Sequence, residues 1–147
     1  MTALDALKEP KRLERQIFAV MQQIDEEHAK LMPGGLNYEV DRVQTTPRDR
    51  FADVMARIDE LETQMDELMK RLDKSRERVL LLLDQVKDKD ARIILNLHDV
   101  IGLPMDAVAE GLYMSRALCY VVRNKALNEI DLAELDDLDT LDGGSEV

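Results

Sequence analysis

Between Phe51 and Val86, apolar residues recur at alternating steps of three and four: Phe51, Val54, Ile58, Leu61, Met65, Leu68 and Leu72, then Val79, Leu82 and Val86. Ser75 is the one interruption. This is a heptad seam with its a and d positions filled. Charged residues dominate the positions between, as a solvated helix surface requires, and no Gly or Pro obliges the stretch to break. As one helix it would be about 54 Å long, at roughly 1.5 Å per residue. A seam of that length cannot stay in water. It must lie against other helices, supplied by the same chain or by a second copy.

The same chain offers a partner. Residues 1–31 carry a second seam, Leu13, Ile17, Val20, Ile24 and Leu31, with Glu27 or His28 in its gap. Its spacing matches the long helix, so the simplest arrangement folds it back antiparallel. Pro10 is expected in the first turn of this helix, where proline is tolerated. Pro33-Gly34-Gly35 ends it, and residues 32–46 form the linker. Thr46, Pro47 and Asp49 then read as N-cap, N1 and N3 of the long helix, a capping box. Near Lys87-Asp88-Lys89-Asp90 the heptad falters. Asp88 can cap a further helix, whose apolar face is Ile93, Ile94, Leu97, Val100 and Ile101, with His98 packed or half-exposed among them and Gly102 at its end.

Composition limits the possible activities. Of 147 residues, 45% are hydrophobic but only 3% aromatic, so Leu, Ile, Val and Met must do the packing, which favours helices. No apolar run approaches the ~20 residues that span a bilayer, and the N-terminal residues have no signal-peptide core. A cytoplasmic protein without membrane contact is expected. The single cysteine, Cys119, excludes an internal disulfide and a thiolate-cluster zinc site. Two histidines and no catalytic motif leave no constellation for acid–base, nucleophilic or metal chemistry, so neither enzyme activity nor a cofactor is expected. The net charge of −11 is concentrated at one end: residues 129–147 hold eight acids and no base, whereas residues 1–128 hold 20 bases against 23 acids. A phosphate-binding face is therefore compatible with the remainder.

Residues 103–127 hold the one segment with a recognition pattern. Pro104 opens a short helix with Val108, Ala109 and Leu112 on its inner face. A tight turn follows over Gly111–Met114, with Tyr113 where many such turns have Gly. Ser115 then caps a second helix, with Leu118, Cys119, Val122 and Leu127 expected inward. This is the helix-turn-helix pattern, with small Ala109 where the helices cross and apolar Met114 just before the second, although plain helical bundles also contain such pairs. The expected exposed positions are Arg116, Ala117, Tyr120, Arg123 and Asn124. Arg and Asn read guanine and adenine edges in a major groove, and Arg and Tyr also reach phosphates. Ser115 points the helix N-terminus at a phosphate. Ser115, Arg116, Ala117, Tyr120, Arg123 and Asn124 are thus the candidate DNA-binding residues.

From about Leu7 to Ile130 the chain resembles the phage-encoded sigma-factor-like transcription regulators, the group that includes late-gene activators of the RinA and ArpU type. The resemblance is carried by Asp41-Arg42-Val43-Gln44-Thr45-Thr46-Pro47, similar to the group's Val-Gln-Ser/Thr-Ser/Thr-Pro element, and by Val108-Ala109 through Ser115 to Ala126-Leu127, similar to sigma-factor region 4. It departs at Val121 and Val122, where members commonly pair a basic or polar residue with an apolar one, and at Arg123, where His is frequent. The resemblance implies a sequence-specific regulator of phage or prophage transcription that binds double-stranded DNA.

The expected architecture is all-α: a helical arm over residues 1–87, a helix-turn-helix domain over 88–130 and an acidic tail over 131–147. In the arm the N-terminal helix packs on the long heptad helix, which is also a possible homodimer contact. In the tail, Leu132, Leu135, Leu138 and Leu141 recur amid acids. It reads either as a frayed, solubilising extension or as a segment that contacts RNA polymerase or folds over Arg116, Arg123 and Lys125. Two rivals to a DNA-binding transcription regulator remain open. One is an acidic coiled-coil interaction protein that binds RNA polymerase or another DNA-binding protein without touching DNA. The other is a phage packaging subunit, in which the DNA-binding piece usually precedes the helical arm.

Overall fold

The computed structural model describes residues 2–32 and 47–132, which are mostly helical and include no strand. The elements are α1 (Ala3–Lys30), α2 (Pro47–Asp84), α3 (Lys89–Ile94), a π-helical continuation of α3 (Leu95–Ile101), α4 (Met105–Leu112) and α5 (Arg116–Glu129). The linker over 33–46, the cap expected at Thr46 and tail residues 133–147 lie outside the described residues. So does the Asp41–Thr46 part of the element that resembles the phage regulators.

α1 begins earlier than expected. Thr2 and Asp5 form a capping box: the Thr2 hydroxyl accepts from the Asp5 N–H at 3.1 Å, and the Asp5 carboxylate accepts from the Thr2 N–H at 3.2 Å. These bonds to Thr2 hold the Asp5 carboxyl below its ordinary range. Pro10 therefore does not sit in the first turn. It lies inside the helix and is buried. It offers no N–H to the Ala6 carbonyl, so packing rather than local preference carries the helix through this position.

Two compact units divide the described residues: Leu13–Arg71, and residues 2–12 with 72–132. In the first, Val20 and Ile24 of α1 pack on Leu61 of α2, with Met65 and Leu68 beside them. In the second, Ala6 and Leu7 pack on Val79, Leu82, Leu83 and Val86, and the cluster continues into Ala91, Leu95 and Ala126. Early α1 thus meets late α2, and late α1 meets the middle of α2, the order an antiparallel pair requires. The N-terminal helix packs along the longer one. The heptad seam of α2 is covered within the chain: Val54, Ile58, Leu61, Leu72, Val79, Leu82 and Val86 are all buried, whereas Phe51 at the seam's start is exposed. Full burial of a side chain such as Leu61 or Leu82 contributes about 1.5–3 kcal/mol.

The bend after α2 is held by side chains. The Arg92 guanidinium donates twice to the Val86 carbonyl, at 2.6 and 3.2 Å. Asp88 caps α3, its carboxylate accepting from the Asp90 and Ala91 N–H groups. Gly102, at φ 97°, ends the π-helical segment, and Lys11 Nζ donates to the Ile101 carbonyl there at 2.7 Å. Past α5, the Gln85 amide grips the Asp131 backbone from both sides, accepting its N–H at 2.7 Å and donating to its carbonyl at 2.8 Å. Ile130 and Leu132 pack against the neighbouring core.

Ser75 is 2% exposed in the middle of the seam, and its hydroxyl has no hydrogen-bond partner among the described residues. A buried hydroxyl left that way costs stability, and alanine is the better helix former. Ser75→Ala should therefore stabilise the chain by about 1 kcal/mol, read as a higher urea midpoint at unchanged slope. A lower midpoint would mean that the hydroxyl is satisfied.

Candidate nucleic-acid interface

α4 and α5 form a helix-turn-helix-like pair packed on α3 and its π-helical continuation. Their shared core is Ile94, Met105, Val108, Ala109 and Cys119, flanked by Leu97, Leu112, Met114 and Val122. Ala109 gives the crossing a small side chain, and Cys119 is fully buried as a small apolar residue. The turn between them is a Schellman motif. The Met114 N–H reaches back to the Ala109 carbonyl at 3.0 Å, and the Tyr113 N–H to the Glu110 carbonyl at 3.3 Å. Tyr113 therefore occupies the left-handed position, φ 56° and ψ 39°, with its ring 97% exposed. Ser115 follows as the N-cap of α5, its hydroxyl accepting from the Leu118 N–H at 3.1 Å.

The six candidate residues separate into different roles. Ser115, Arg116, Ala117 and Asn124 are exposed. Arg116 lies 3.6 Å from the Asp106 carboxylate, with both side chains largely in water, and its guanidinium sits 5.7 Å from the centre of the Tyr120 ring. Hydrogen bonding to Tyr120, then the Asp106 charge, holds its pKa above the ordinary value. A pair this exposed contributes little to stability, which leaves the guanidinium available to exchange Asp106 for another anion. Tyr120 is half-buried, edge-on to His98 with ring centres 6.1 Å apart. His98 is fixed in turn by donating from Nδ1 to the Leu103 carbonyl at 2.8 Å.

Arg123 corrects the sequence reading, which placed it among the outward residues. Its guanidinium makes two 2.8 Å bonds to the Asp99 carboxylate, and the two side chains are 12% and 0% exposed. A third bond, 3.0 Å, goes to the Asn124 side-chain oxygen. The Asp99 hydrogen bonds raise the Arg123 pKa, outweighing burial, which acts in the opposite direction. Arg123 is committed inside the protein and is a positioning residue for α5. Leu118 is the second correction: expected inward, it is 47% exposed, and Val121 is 63% exposed. The outward row of α5 is therefore Ala117, Val121, Asn124 and Asn128, spaced i, i+4, i+7 and i+11, with Arg116 on one side and Leu118 and Lys125 on the other. Val121 was not among the candidate residues, because a valine offers no hydrogen-bonding group to mark it as a contact. Among the described residues no cluster of His, Cys, Asp or Glu is arranged to hold a metal ion, and no helix is long and apolar enough to cross a membrane.

The fold and this site define an all-helical protein with a helix-turn-helix-like C-terminal unit. The chain belongs to the family described as "Protein of unknown function (DUF1492)", whose model matches residues 28–131, from the end of α1 past the end of α5. No curated protein and no solved structure matches it.

A carboxylate as buried as Asp99 cannot lose its cation without a large penalty. Asp99→Ala and Arg123→Ala should each destabilise the chain by about 3 kcal/mol, with the double variant well short of additive. Additive losses in denaturant melts would contradict a coupled pair. Tyr113→Gly relieves a left-handed non-glycine residue and should stabilise by about 1 kcal/mol. A loss of stability in the same melts would contradict the backbone geometry at the turn.

Proposed function

We propose that this chain is a DNA-binding regulator of transcription, of the sigma region 4-like phage or prophage type, and that α5 is its recognition helix. The observation that supports this reading is the outward row of α5, capped by Ser115 and kept in place from behind by the Asp99–Arg123 pair. Its chemistry suits base edges: Asn124 for adenine, Ala117 and Val121 for a thymine methyl, and Arg116 for guanine or a phosphate. Tyr120, held between His98 and Arg116, lies beside this row where a phosphate would pass. The role is non-catalytic and needs no cofactor. With Arg116 and Lys125 as the main bases of the face, binding should depend only mildly on salt, with a log–log slope of about −2.

Fluorescence anisotropy with duplex fragments flanking the protein's own gene, at about 50 mM salt, tests the proposal. One fragment should bind selectively, and Arg116→Ala and Asn124→Ala should each weaken that binding by about ten-fold or more. Variants that bind like the parent, or no binding at all, would contradict it. The exposed Leu118 and Val121 favour a second reading, in which α5 contacts RNA polymerase rather than DNA. Retention of polymerase together with an absent DNA shift would select that reading.

A further inference from the structure

The Leu13–Arg71 unit carries a second surface that DNA binding does not use. On a right-handed helix, successive residues advance in one rotational sense. When two antiparallel helices face each other, the residues that follow each seam position therefore lie on the same flank of the pair, and those that precede it lie on the other. From Ile17 onward, the following residues in α1 are Phe18, Met21, Asp25 and His28. Those in α2 are Ala52, Met55, Asp59, Glu62, Asp66 and Met69. All ten are exposed, and none is Lys or Arg. Phe18 is 62% exposed, Met21 48%, Met55 36% and Met69 49%, so a single flank presents four large apolar side chains among four carboxylates. The preceding flank is different: it carries Lys30, Arg50, Arg57 and Arg71 balanced by acids, and no large apolar residue.

We propose that this flank is a docking site for a basic amphipathic helix of a partner protein. Its Phe and three Met supply a deformable apolar strip, and Met in particular adapts to different partner side chains. Its acids require a partner with positive charge along the edges of its apolar face. A second copy of this chain does not satisfy that requirement, because two identical acidic flanks would repel. Nucleic acid and anionic lipid are excluded for the same reason.

The test uses the full chain and a synthetic peptide of about 18 residues with Leu at i, i+3, i+4 and i+7 and Lys elsewhere. A matched peptide with Glu in place of Lys is the control. The Lys peptide should bind at least ten-fold more tightly and shift the methyl resonances of Met21, Met55 and Met69. Phe18→Ser with Met69→Gln should weaken binding at least ten-fold, as should Glu62→Lys with Asp66→Lys. Asp53→Lys with Glu67→Lys, the same charge change on the other flank, should alter binding less than two-fold. Equal losses from the two charge reversals, or unmoved methionine methyls, would overturn the proposal. So would a chain that is dimeric in solution and becomes monomeric with Phe18→Ser and Met69→Gln, since a second copy would then be the occupant. Circular dichroism checks that each variant stays helical. No DNA enters the assay, so its failure is separate from failure of the recognition-helix reading.

Discussion

A carboxylate with no exposed surface must have a cation, and in this protein that requirement sets the working geometry. Asp99 lies on the π-helical continuation of α3, and Arg123 on α5 is the side chain that reaches it, through two hydrogen bonds of 2.8 Å. The pair ties α5 to the helix beneath it at one rotational setting. With Arg123 turned inward, Ala117, Val121 and Asn124 must point outward. A wider helical turn over Leu95–Ile101 changes which residues of that helix face α5, and in this chain it accompanies the placement of an acidic side chain in the core. The neighbouring His98, held by the Leu103 carbonyl, braces Tyr120 on the same side.

The helical pair formed by α1 and α2 follows a simpler rule. Both seams are apolar at heptad spacing, and each covers the other within the chain. What is left over is asymmetric. One flank mixes both charges, and the opposite flank joins carboxylates to exposed Phe and Met. The outward row of α5 and this acidic, methionine-bearing flank differ in character. On the two proposals, α5 faces an anionic polymer and the flank faces a basic helix, so the two surfaces take partners of opposite charge.

Much of the helical layout was legible in the sequence, because periodicity and capping are local properties. The seam of α2, the Asp88 cap, the Ser115 cap and the end of α3's continuation at Gly102 each follow from a few adjacent residues. The departures come from tertiary context. Pro10 was read as a helix start because proline disfavours interiors, yet burial and the Thr2–Asp5 capping box carry α1 through it. Arg123 was read as a surface residue because arginine is costly to bury, and only its pairing with Asp99, 24 positions away, reverses that. The same π-helical turn that presents Asp99 is invisible to a search at a period of 3.6. Leu118 was read by residue type, whereas its angular position on α5 places it outside the Cys119–Ala126 stripe. The left-handed position of the turn was legible as the place where many such turns have Gly, and Tyr113 occupies it here.

The account is tested most directly by following individual resonances while a selectively bound DNA duplex is added to the isotope-labelled chain. The amides of Tyr113, Ala117, Val121 and Asn124 should move, while the Arg123 Nε–H resonance, locked on Asp99, should keep its position. Movement of that Nε–H resonance with the α5 amides left unchanged would show that Arg123 leaves Asp99 to meet the DNA, and that α5 does not read it in the orientation described.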